Sequence, residues 1–119
     1  MESIDLVREI VRDIDEKKGK DIKVLDIHEK TGIADFFVIC TGASRPQTRA
    51  IADFIELKVE ENLGEQVLRR EGFQTGSWIL LDYSSVVVQI FQPEDREYYN
   101  LEKLWGDAKD VDPAQFLED

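Results

Sequence analysis

The sequence predicts an α/β (α+β) fold: one domain in which helices pack on a mixed, five-stranded β-sheet. Three observations predict it. The chain has 119 residues, 42% of them hydrophobic, enough for one packed core and too little for two. Its apolar periodicity runs in the order helix, strand, strand, helix, strand, strand, strand, helix, which implies a sheet with helices laid on it. Residues 76–92, G-S-W-I-L-L-D-Y-S-S-V-V-V-Q-I-F-Q, are the densest run of β-branched, aliphatic and aromatic side chains, and the rest of the chain is organised around them.

Residues 2–17 place Ile4, Val7, Ile10, Val11 and Ile14 on one stripe with charged residues opposite, the spacing of an amphipathic helix lying on a sheet. Ser3 is the candidate cap and Gly19 the stop. Residues 22–27 follow as a short strand in which Ile22 and Val24 alternate with Lys23. Residues 35–41 form a stronger strand, because F-F-V-I-C is apolar on both faces and therefore central. Ser44, Pro46 and Gln47 open a second helix, with a serine cap, a proline in the first turn and a glutamine at the third position. Ile51, Phe54, Ile55 and Val59, with Leu63 beyond, form its buried stripe, and Asn62 with Gly64 ends it. Residues 66–70 read as a short edge strand, since Arg69 and Arg70 follow each other. Beyond the apolar run, Pro93 opens a last helix with Tyr98, Leu101, Leu104 and Trp105 on its apolar side, closed by Gly106. The domain is assigned to residues 1–106, and residues 107–119 to an acidic tail, either loosely docked or disordered.

The run 76–92 reads as a hairpin turning at Ser84-Ser85. A turn centred there sets Trp78 against Phe91, Ile79 against Ile90, Leu80 against Gln89, Leu81 against Val88 and Asp82 against Val87. Alternation then divides the hairpin into two faces. Ile79, Leu81, Tyr83, Val86, Val88 and Ile90 form a core face. Trp78, Leu80, Asp82, Val87, Gln89 and Phe91 form a mixed one, whose aromatics beside a carboxylate and an amide resemble the centre of a protein–protein interface. The competing reading of Trp78 is a core tryptophan covered by the last helix, with Tyr98 or Trp105 against it.

Composition excludes several functions. Lysine and arginine number 15 against 26 acids, a formal charge of −11, which opposes direct binding to DNA, RNA or an anionic membrane and suits a basic protein partner. Cys40 is the only cysteine and lies in an apolar run far from a histidine, so it reads as a small buried residue rather than a nucleophile. His28 is the only histidine and reads as a solvated residue at a strand end. Asp110 and Asp112 lack a strand to hold them as a metal pair. The turn T-G-A-S at 41–44, from a strand into a helix N-terminus, is the one candidate anion cradle. A nucleotidyl transferase also needs magnesium-binding carboxylates on a neighbouring strand, and residues 66–70 carry none. No catalytic residue, metal or cofactor is expected. The acidic N-terminus and the absence of a long apolar run point to the cytoplasm.

Four blocks carry a likeness: A-D-F-F-V-I-C-T-G-A-S-R-P-Q-T-R-A-I-A-D at 34–53, E-G-F-Q-T-G-S-W-I-L-L-D-Y at 71–83, V-V-V-Q-I-F at 86–91 and Y-Y-N-L-E-K-L-W-G-D-A at 98–108. In this order they resemble the ribosomal silencing factor (Iojap) family over residues 4–108. The resemblance implies a nucleotidyltransferase-like fold without catalytic acids. It implies a translational repressor that binds the large ribosomal subunit through large-subunit ribosomal protein fourteen and sterically blocks subunit joining, and that is a homodimer when free. The family's W-x-L-x-D-Y segment falls on Trp78, Leu80, Asp82 and Tyr83, and Gln89 and Phe91, from the mixed face, complete the expected partner-binding set. Two departures stand out: Ser84-Ser85 where Gly-Asp is common at the turn, and Gln89 where many members have histidine. The alternatives are a nucleotide-binding or nucleotidyl-transferring enzyme and a large-subunit assembly factor without repressor activity.

Overall fold

The computed structural model describes residues 2–30 and 32–118. Helix α1 (Ser3–Glu16) leads into strands β1 (Lys20–Asp26) and β2 (Phe36–Thr41). Helix α2 (Arg45–Leu63) connects to β3 (Arg69–Glu71), β4 (Trp78–Asp82) and β5 (Val86–Phe91). Two short helices, α3 (Pro93–Tyr99) and α4 (Leu101–Leu104), precede β6 (Lys109–Val111) and a 3₁₀ turn (Pro113–Phe116). The sheet order is β3-β4-β5-β2-β1-β6, with β2 and β5 parallel and every other neighbouring pair antiparallel. The sheet is mixed, as expected, but has six strands rather than five.

The sixth strand comes from the segment read as an acidic tail. Val111 pairs with Val24 and Lys109 with Asp26, and Phe116 is 1% exposed beneath α1. Arg12 Nε donates to the Phe116 carbonyl at 2.8 Å, tying the segment to the first helix. Alternation in a three-residue strand is too short to be seen in sequence, and its pairing depends on the free edge of β1.

Helices α1 and α2 pack on one face of the sheet. Val7, Ile10, Val11 and Ile14 of α1 meet Ile51, Ile55 and Val59 of α2 over Val38, Ile79, Leu81, Val88 and Ile90, all fully buried. Each such side chain contributes about 1.5–3 kcal/mol of burial. Ser44 caps α2 as expected, accepting from Gln47 N–H at 3.2 Å, and Gly64 ends it in the left-handed region at φ 70°. Ser3 does not cap α1: Glu2 holds that position, while Ser3 Oγ donates to Asp35 Oδ2.

The second face is covered by the chain after β5. Leu101, Trp105 and Ala108 pack with Leu25, Ile39, Phe37, Val87 and Phe91 there. The single last helix of the sequence reading is two, because Asn100 adopts φ 45° and ends α3. Tyr98 and Leu104 are 82% and 71% exposed, opposite to their expected place, while Tyr99, still 46% exposed, lays one side of its ring against Trp78. Arg96 anchors the pair of helices, donating to Glu102 Oε1 at 2.7 Å, to Thr41 Oγ1 at 2.8 Å and to the Asp21 carbonyl. That carbonyl belongs to a bulge in β1, where the register slips between Lys20 and Lys23 and Asp21 has φ 50°.

Candidate functional site

The hairpin has the register its alternation predicts: Trp78 opposite Phe91, Leu80 opposite Gln89 and Asp82 opposite Val87. Tyr83 and Val86 close the turn through a 3.0 Å backbone hydrogen bond, with Ser84 at φ 73°. Asp82 Oδ1 accepts from Ser84 N–H at 2.8 Å, so the carboxylate supports a turn that lacks a glycine.

The six residues singled out in sequence part company. Trp78, Leu80 and Asp82 lie on the second face and are partly exposed. Gln89 and Phe91 share that face but are 4% and 1% exposed, below the surface layer. Their part is support: Gln89 Oε1 accepts from Trp78 Nε1 at 3.1 Å, and Phe91 stacks on the indole with centroids 5.0 Å apart. Tyr83 is on the opposite face, 7% exposed among the α1–α2 core, and its hydroxyl meets no hydrogen-bond partner. Period-two alternation puts residue 83 across the sheet from residue 82, so Tyr83 is not part of this surface.

Sequence reasoning missed three neighbours. Tyr99 packs on Trp78 with centroids 4.5 Å apart and the rings tilted by 42°, a position visible only once the break at Asn100 is known. Trp78 is therefore covered on one side by the segment after β5, through Tyr99 rather than Tyr98 or Trp105, and partly exposed on the other. Arg69 and Glu71 of β3 stand opposite Asp82 and Leu80. A hollow of about 230 Å³ lies between Glu71, Trp78 and Leu80.

The loop before β4 is fastened by α2. Arg49 Nε donates to the Phe73 carbonyl at 2.9 Å, and Thr48 Oγ1 to the Gly76 carbonyl at 2.6 Å. Gly72 is required at its start: its φ is 78°, and a Cβ there would come 2.0 Å from the Trp78 carbonyl oxygen. Trp78 thus starts from a fixed backbone.

A larger hollow of about 470 Å³ lies at the end of β2, beside Thr41, Ala43 and Arg96. The backbone donors of the turn beside it and the guanidinium of Arg96 are matched within the chain. Ala43 N–H donates to Gln47 Oε1 at 2.7 Å, Gly42 N–H to the Phe91 carbonyl at 2.8 Å, and Arg96 pairs with Glu102. The turn 41–44 is a capped strand-to-helix connection whose first donors are satisfied internally. Cys40 behind it is fully buried, and burial pushes its thiol up to about 12. His28 is exposed, with Nδ1 on Asp26, whose hydrogen bond raises the imidazole above its ordinary value. Asp110 and Asp112 diverge: the first, in β6 after all, pairs with Lys23 at 3.4 Å, and the second accepts from Ala114 N–H at 3.0 Å. Among the described residues no cluster of three ligating side chains suits a metal ion, and no helix is long and apolar enough to cross a membrane.

A family described as "Ribosomal silencing factor during starvation" matches residues 1–119. Ribosomal silencing factor RsfS of Bacillus subtilis is 48% identical over 94 residues, 79% of each chain. That of Halalkalibacterium halodurans is 41% identical over 112 residues, 94% of this chain and 95% of the relative. A crystal structure of a Chromobacterium violaceum protein superposes with a TM-score of 0.86 at 34% identity, covering 89% of this chain and 88% of the other.

Proposed function

As the chain belongs to the ribosomal silencing factor (Iojap) family, we propose that it represses translation by docking on the large ribosomal subunit through large-subunit ribosomal protein fourteen and blocking the small subunit. The family comprises ribosome-silencing and large-subunit assembly factors, and it is regulatory rather than enzymatic. Its members act on the large ribosomal subunit.

The observation that carries the finer reading is the partly open strip of Trp78, Leu80 and Asp82 on rigid β4. An indole and a leucine supply apolar contact area, the carboxylate supplies a partner for a basic residue, and Gln89, Phe91 and Tyr99 hold the indole in place. The formal charge of −11 speeds encounter with a basic protein and keeps docking away from exposed rRNA. Inhibition needs only occupancy. The free protein covers the same apolar strip by pairing with a second copy, and it works in the cytoplasm.

Subunit joining followed by light scattering tests this. A stoichiometric excess of the protein slows joining, and Trp78→Ala combined with Asp82→Ala removes both the effect and co-sedimentation with large subunits. Because Trp78 also packs on Phe91 and Tyr99, Leu80→Glu serves as the second variant, placing a charge on the strip without opening the aromatic stack. Joining rates untouched by excess wild-type protein refute repression. Binding without that effect supports the assembly role instead. Sedimentation showing only monomer at micromolar concentration refutes the dimer.

A further inference from the structure

The strip carries a cation of its own. In the β3–β4 ladder Arg69 stands opposite Asp82 and Glu71 opposite Leu80, so all four side chains belong to one face. Arg69 Nε lies 3.3 Å from Glu71 Oε2, and its Nη2 lies 3.7 Å from Asp82 Oδ2. Both pairs are longer than a charge-assisted hydrogen bond, and the arginine side chain is 65% exposed, so solvent and salt weaken them. Next to this bridge is the hollow walled by Trp78 and Leu80 and flanked by Glu71. An aromatic ring, an aliphatic wall and a carboxylate together match a long cationic side chain: its stem packs on the leucine and its charge meets the ring and the acid.

We infer that this hollow receives a lysine or arginine side chain of the basic ribosomal protein on which the strip docks, and that Arg69 is an internal competitor for the same two carboxylates. The inference rests on the docking reading above. The pairing follows from charge. The strip offers Glu71 and Asp82 to a partner, while Arg69 neutralises part of that pair in the free protein and must turn aside on docking. Removing this arginine therefore strengthens binding, the opposite of what loss of a contact residue does.

Affinity for purified large subunits, measured at low salt and at about 0.5 M salt, tests the inference. Arg69→Ala tightens binding about threefold at low salt, and the gain vanishes at high salt. Glu71→Gln weakens binding about threefold, and in that background removing Arg69 gains less. Arg8→Ala makes the same change in net charge on α1, where Arg8 pairs with Asp5, and leaves affinity unchanged. Arg69 and Glu71 are both exposed on an edge strand, so circular dichroism of each variant matches that of the wild type. Arg69→Ala that leaves binding unchanged or weaker overturns the inference, as does Arg8→Ala that tightens it equally. Wild-type protein that does not bind large subunits overturns the docking reading itself, and this inference with it.

Discussion

Asp13 is expected to destabilise the protein at neutral pH, and replacing it with asparagine to relieve the cost. Its side chain sits on α1 facing the core, 3% exposed, with Oδ2 unpartnered. Burial is the main reason its carboxyl is pushed up to about 9; a hydrogen bond with Glu9 and the charges of Glu9 and Glu16 add to this, while Lys58 opposes. The folded state therefore holds a proton that the unfolded chain releases near pH 3.9. The folded pKa lies above the unfolded one, so this contribution to stability is complete below about pH 4 and is lost as pH rises to about 9. Keeping the proton at pH 7 costs up to about 4 kcal/mol, from 1.36 kcal/mol for each of roughly three pH units, and relaxation with water entry reduces this to about 2–4. Asp13→Asn keeps the shape and a hydrogen-bond donor for Glu9 without a titrating proton. Urea unfolding at pH 5, 7 and 8.5 measures the difference, which should favour the variant and widen as pH rises. A difference that stays flat across this range, or that favours the wild type at pH 8.5, refutes the reasoning.

Two further substitutions probe the two faces. Tyr83→Phe removes a buried hydroxyl without a partner, so it leaves stability unchanged or raises it by up to about 1 kcal/mol, and co-sedimentation with large subunits stays as in the wild type. Loss of binding in a folded Tyr83→Phe would return Tyr83 to the docking surface. Phe116→Ala empties a fully buried position between α1 and the sheet and lowers stability by about 3–5 kcal/mol, with faster amide exchange in β6. Exchange there that matches the wild type would show that the last strand is held without the phenylalanine.

The hairpin was legible because its signal is dense and local. Two apolar runs around Ser84-Ser85 admit one register that keeps Ile79, Leu81, Val88 and Ile90 together, since a slip of one residue would turn them all to the other side. The caps of α2 were legible for a similar reason: Ser44 and Gln47 act within four residues of each other. Tyr83 shows the limit of motif reading. It is contiguous with Asp82 in the W-x-L-x-D-Y segment, and the pleat sends it to the opposite face.

The chain by itself determined the mixed sheet, the two faces of the hairpin and the position of Trp78, Leu80 and Asp82 on one of them, because side-chain alternation and capping are short-range properties. Only the tertiary structure decided that Tyr99 rather than Tyr98 covers Trp78, that Lys109–Val111 completes the sheet, and that Arg69 bridges Glu71 and Asp82. Each of these depends on a neighbour distant in sequence or on a single left-handed residue such as Asn100, and local periodicity carries no record of either.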